Sequence, residues 1–91
     1  MSVRVGVPSA FRTKMGGATS IDVEALTVGE ALRQLEAAHP ALVPLLRNAA
    51  GALRPKVTVY VNDVHVRFLQ GLDTPLVDGD HVYVVPMLMG G

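Results

Sequence analysis

Val57-Thr58-Val59-Tyr60-Val61-Asn62-Asp63 decides the fold. Three valines alternate with Thr58 and Tyr60, the period of two that turns every second side chain toward a buried sheet face. β-Branched residues suit that pleated, half-buried surface. Asn62-Asp63 then reads as a tight two-residue turn. Beyond it, Val64, Val66 and Phe68 continue the alternation as a short paired strand. Asp73-Thr74-Pro75 and Asp78-Gly79-Asp80 are two more turns. Residues 82–85 form the last strand, and Pro86 stops it because proline lacks the ladder N–H.

Toward the N-terminus the same logic gives two more strands. Val3, Val5 and Val7 alternate with Arg4, Gly6 and Pro8, and proline again marks the end. Gly16-Gly17 marks a loop. Residues 19–24 alternate as a second strand, antiparallel to the first if the loop is a hairpin. Thr27-Val28-Gly29-Glu30 is a capping-box pattern: the Thr27 hydroxyl can accept from the Glu30 amide and the Glu30 side chain can reach back. Val28, Ala31, Leu32 and Leu35 then share one helical face, with Arg33, Gln34 and Glu36 elsewhere. His39-Pro40 closes the helix. Residues 41–46 hold Pro44 and read as a short helical turn, and residues 48–55 as a loop.

The order strand, strand, helix, strand, short strand, strand has one α+β solution at this size. A single main helix packs on one face of a mixed sheet of about five strands. The first and last strands pair in parallel at its centre and hairpins lie outside. That is a β-grasp, or ubiquitin-like, roll. Residues 1–86 form this domain and residues 87–91 a C-terminal tail.

Composition agrees and excludes much. Ninety-one residues leave room for one domain. Hydrophobic content is 49%, carried by 15 Val and 11 Leu, and charged content is 18%, which argues against disorder. Eight cations balance eight anions, scattered along the chain, with few aromatics; nucleic-acid binding is not expected. No apolar run reaches the ~18 residues that span a bilayer, and the N-terminus lacks a signal-peptide layout. A soluble, cytoplasmic protein is expected. Zero cysteine removes disulfides, thiolate zinc sites and cysteine nucleophiles together.

No catalytic constellation emerges. His39, His65 and His81 are far apart in sequence, without the converging partners a metal needs. Asp78 and Asp80 resemble an acid–base pair, yet turn chemistry accounts for both. The serines have no elbow motif and no neighbouring histidine. Gly16-Gly17 lacks the Gly-Lys-Ser/Thr ending of a phosphate loop.

Gly90-Gly91 remains without a folding explanation. Glycine buries nothing and loses more entropy than any other residue when ordered. A frayed end is one reading. The other is a carboxylate on a stalk too thin to collide with the walls of a narrow channel in another enzyme. There the Gly91 carboxylate can attack the α-phosphate of ATP to give an acyl-adenylate. A sulfur nucleophile that displaces AMP leaves a thiocarboxylate. Ordering residues 87–91 costs about 5–10 kcal/mol in all. Burying Leu88, Met87 and Met89 returns ~1.5–3 kcal/mol each, so the rest must come from contact with the globular body. Alternation offers Tyr60, Arg67 and Tyr83 on the sheet face opposite the helix, with Phe68 and Leu69 beside them.

Three segments together resemble the MoaD/ThiS family of ubiquitin-like sulfur carriers: Val59-Tyr60-Val61-Asn62-Asp63, Leu76-Val77-Asp78-Gly79-Asp80-His81-Val82, and the ending from Pro86 to Gly90-Gly91. Within the family the cysteine-biosynthesis branch is the most similar, through Arg12 and Gly16-Gly17, through Asn62-Asp63 with Val66-Arg67-Phe68, and through Gly71-Leu72. Met87-Leu88-Met89 is bulkier than that branch's tail. The resemblance implies a carrier, not an enzyme. An E1-like adenylating enzyme would activate Gly91, with residues 87–90 threading into it. A pyridoxal-phosphate-dependent cysteine synthase would take the sulfur on an activated serine, and a zinc metalloprotease would release cysteine. ATP, pyridoxal phosphate and zinc would belong to those partners. Sulfur supply to molybdopterin, thiamine or a secondary metabolite stays open at this point. So do a ubiquitin-like protein modifier and a binding module that never activates its tail.

Overall fold

The computed structural model describes residues 2–86. Strand β1 (Val3–Gly6) pairs antiparallel with β2 (Ser20–Val23) and parallel with β5 (His81–Pro86). Strand β3 (Val57–Val61) pairs antiparallel with β5 and with the two-residue β4 (Val64–His65). The sheet order is β2-β1-β5-β3-β4. β5 is thus the central strand, paired in parallel with β1, with hairpins outside, the β-grasp arrangement expected from the element order.

Helix α1 (Val28–Ala38) crosses one face. Thr27 is extended, and its hydroxyl accepts from the Glu30 N–H at 3.2 Å, satisfying one donor that the first turn leaves free. Val28, Ala31, Leu32 and Leu35 are buried against Val3, Val5, Val59, Val82 and Val84. Helix α2 (Val43–Leu46) follows a 3-10 turn at Pro40–Leu42 and closes one end of the core with Leu42 and Leu46. Each fully buried leucine contributes about 1.5–3 kcal/mol.

Three features depart from the sequence reading. The stretch after Pro8 is not a loop but a 3-10 helix, Ser9–Met15, that buries Phe11 and Met15. The alternation after Asp63 stops at His65. The His65 Nδ1 accepts from the Arg67 N–H at 3.0 Å, closing Val66–Phe68 into a 3-10 turn. Val66 stays inside while Phe68 swings out to 70% exposure. Lastly, Glu36 is buried on the helix rather than solvated. Its two carboxylate oxygens accept from Arg47 Nε at 2.8 Å and Nη2 at 2.9 Å. That hydrogen-bonded carboxylate holds the Arg47 guanidinium above its ordinary pKa; burial opposes the rise, and the attraction between the charges adds to it. The bidentate pair fastens α1 to the segment after α2.

The turns consume the aspartates. Asn62 and Asp63 both have positive φ, 48° and 75°, as a two-residue hairpin requires. Asn62 Nδ2 donates to Asp80 Oδ1 at 2.8 Å, and Asn62 Oδ1 accepts from the His81 N–H at 3.0 Å. Asp80 Oδ2 accepts from the Val77 N–H, and Asp78 Oδ1 accepts from the Ser2 N–H at 2.7 Å. These bonds tie the starts of β1 and β5 to the end of β3. Asp78 and Asp80 are turn-formers, as their flanking of Gly79 implied.

Candidate functional site

Two regions matter: the base of the C-terminal tail and the sheet face away from α1. Met87, Leu88, Met89, Gly90 and Gly91 lie outside the described residues. Their base does not. β5 is an interior strand, held by β1 along residues 81–83 and by β3 along residues 82–86. Val57 pairs with Pro86, so β5 is held in the sheet up to the residue before the tail.

The outer face carries a row of rings. Tyr60 and Tyr83 are direct cross-strand partners, and Tyr60 also faces His65 on β4. The Tyr60 and His65 rings meet edge-on at 5.2 Å, and His65 meets Phe68 at 6.3 Å. The Arg67 guanidinium lies over the Phe68 ring, 4.8 Å from its centre, a cation–π contact. On the other side His81 and Tyr83 touch edge-on, with Nδ1 3.2 Å from the tyrosine oxygen. Tyr83 is 42% exposed. Tyr60, Asp63, Tyr83 and Val85 line a shallow depression of about 320 Å³.

Gly6 makes room for this row. It pairs with Tyr83 across the parallel ladder, and a Cβ there would sit 3.0 Å from two carbons of the tyrosine ring. Any side chain at Gly6 must displace the ring.

Of the five surface residues expected from the sequence, Tyr60 and Tyr83 are therefore paired across β3 and β5, and Phe68, with Arg67 over it, joins Tyr60 through His65. Arg67 is not on a strand, as the alternation suggested, but on the 3-10 turn at the sheet edge. Leu69 is exposed beside that turn. His65, His81 and Val85 were missed, although their alternation with buried valines carried the signal. The histidines are half-buried members of this face or, for His39, a helix end. Among the described residues no group of three His, Cys, Asp or Glu side chains converges as a metal site, and no helix is long and apolar enough to cross a membrane.

Known proteins share this build. The sulfur carrier protein CysO of Mycobacterium tuberculosis is 37% identical over 93 residues, covering all of both chains. Small archaeal modifier protein 3 of Haloferax volcanii is 43% identical over 65 residues, 71% of this chain and 70% of that one. The crystal structure of the Amycolatopsis orientalis BexX/CysO complex contains a chain that superposes with TM-score 0.86 at 35% identity, covering 98% of this chain and 99% of that one. The ThiS family model matches residues 5–91, the span that holds the central strand pair, the turns around Asn62 and Asp80, and the Gly-Gly ending; this chain belongs to the ThiS family.

Proposed function

We propose that the chain is a sulfur carrier that holds sulfur on the carboxylate of Gly91. One observation carries the reading: a protein named as a sulfur carrier aligns with this chain from end to end, and the family match runs through Gly91. Zero cysteine fits, because no thiol is present to hold sulfur. The Gly91 carboxylate attacks the α-phosphate of ATP in an E1-like partner, and pyrophosphate leaves. A sulfide or persulfide sulfur then attacks the acyl carbon, and AMP leaves with the bonding electrons; a persulfide donor also requires a thiol to release the sulfur. The chain supplies no catalytic group. It acts as substrate and carrier, in a cytoplasmic setting.

The resemblance to CysO favours cysteine biosynthesis as the destination. A pyridoxal-phosphate-dependent synthase would present an activated serine to the thiocarboxylate. A zinc metalloprotease would then free cysteine and restore the Gly-Gly end. Mass spectrometry after incubation with the adenylating enzyme, ATP and sulfide is expected to show one oxygen of Gly91 replaced by sulfur. An unchanged mass, beside an enzyme that activates a known carrier, would overturn the reading. The likeness to an archaeal modifier supports a second use, because conjugation to lysine begins from the same adenylate. High-mass conjugates on a denaturing gel would favour that use.

The ring row on the outer face is the docking surface for the activating enzyme in this reading. Aromatic and arginine side chains dominate binding energy at interfaces. Phe68→Ala is expected to raise KM for activation about tenfold, a loss of ~1.4 kcal/mol. Its thermal transition should stay within the range of neutral surface changes, since the ring is 70% exposed. An unaltered KM would remove Phe68 from the interface.

A further inference from the structure

The zero net charge conceals a polarised molecule. Every acidic residue except Glu36 lies in the segments around the starts of β1, β5 and α1 and the ends of β2 and β3: Asp22, Glu24, Glu30, Asp63, Asp73, Asp78 and Asp80. Arg4 and Arg67 share that end, and Arg33, midway along α1, lies between the two ends. The opposite end contains the last residues of β1 and β5, the start of β3 and α2. Residues 7–19 and 37–58, which build it, contain no Asp or Glu. Their cations are Arg12, Lys14, Arg47, Arg54 and Lys56, of which only Arg47 has an ion-pair partner among the described residues, Glu36. Cations scattered in sequence are thus gathered by the fold.

Topology places them around the base of the tail. β1 runs parallel to β5 and continues past Gly6 into Ser9–Met15, which exposes Arg12 and Lys14. On the other flank Val57 pairs with Pro86, directly after exposed Arg54 and Lys56. Arg54 is fixed there: its Nε donates to the Pro44 carbonyl at 3.0 Å, and its own carbonyl accepts from the Val57 N–H at 2.9 Å.

We propose that Arg12, Lys14, Arg54 and Lys56 form a cationic collar that seats the tail-bearing end on an acidic protein surface rimming the channel of the enzyme that activates Gly91. The inference rests on the carrier reading above and adds the chemistry of the partner's rim. A neutral molecule gains little from net attraction. A polarised one is turned as it approaches, so that the end carrying the tail leads into a negative rim and the acidic end is repelled from it. Such fields raise association rates about 10–10³-fold and fade with salt. The collar complements the ring row: the rings supply contact area, and the collar supplies orientation. Two glycines, with no side chain, supply neither.

The test is activation kinetics of the full chain with its adenylating enzyme and ATP, across a salt series. The double variant Lys14→Glu/Lys56→Glu is expected to lose about tenfold in kcat/KM at low salt with kcat retained, and to rejoin the wild type above roughly 0.5 M salt. Neither lysine side chain makes a hydrogen bond or ion pair among the described residues, and circular dichroism checks the fold. Arg4→Glu, at the start of β1, makes a charge reversal of the same kind at the far end and is expected to change kcat/KM less than about twofold. An unaffected collar variant overturns the proposal while the carrier reading stands. Equal losses per reversed charge at Arg4 and at the collar overturn it too, because net charge alone would then suffice. A wild-type chain that is never activated overturns both.

Discussion

A chain lacking Gly91 is expected to fold as the wild type does and to lose at least about a hundredfold in ATP-dependent activation. Deletion withdraws the carboxylate by one residue, about 3.4 Å in extended chain. Misplacing a reacting atom by as little as ~1 Å already costs about a hundredfold. The chain cannot compensate by sliding forward. β5 is hydrogen-bonded in register on both sides, and Pro86 is paired with Val57, so the start of the tail is fixed. Gly90→Val probes the same path differently: the carboxylate keeps its place, but a β-branched side chain must enter a channel shaped for none. It should lose activation as severely while still binding the enzyme through the ring row and the collar, and so act as a competitor of the wild-type chain. In both variants the thermal transition should match the wild type, since the buried core runs from Val3 to Val84. A fall in stability would show that the tail belongs to the fold. Persistent activation of the deletion variant would remove Gly91 from the chemistry.

The sheet and its order were legible because one physical rule governs them. Val57, Val59 and Val61 alternate without interruption, as do Val3 and Val5, and a slip of one residue would bring each valine to water. Thr27 and Glu30 marked the helix start through a local hydrogen bond that needs no tertiary context. The misses were places where distant contacts override local pattern. Phe11 and Met15 sit between Pro8 and Gly16, two loop signals, yet the chain winds between them into a 3-10 helix that buries both. Phe68 fits the alternation, but the Arg67 N–H donates to His65 Nδ1 and the chain turns out of the edge strand before Phe68. Glu36 looked like a solvated helix residue because its partner Arg47 lies across a proline-containing turn. The tail function was legible only through the family resemblance and through the lack of any folding role for Gly90-Gly91. The collar was not legible at all: Arg12 and Lys14 come to the end of the molecule where β5 finishes only because β1 and β5 run parallel.

Leu35→Ala should produce the largest stability loss of any single change considered, about 2–5 kcal/mol. Leu35 is fully buried, as are its helix-face companions Val28 and Ala31. The sheet below offers Val5, Val82 and Val84, whose short β-branched side chains sit in restricted rotamers and cannot stretch to fill the void. The cost therefore includes the lost transfer energy and most of the cavity term. For a domain of this size total stability is about 5–10 kcal/mol, so the variant spends a large share of it and Tm should fall by more than ~10 °C. Urea unfolding should show a lower midpoint with an unchanged slope. A loss below ~1 kcal/mol would mean that α1 is not seated on the sheet as described. Activation separates this residue from the functional ones: at temperatures where Leu35→Ala remains folded, kcat/KM per folded molecule should equal the wild type, because Leu35 is buried in the core while the ring row lies on the other sheet face and the collar residues are exposed. Phe68→Ala should show the converse, with stability kept and binding lost. The pair of variants divides the molecule into a core that holds β5 in place and a surface that presents what β5 carries.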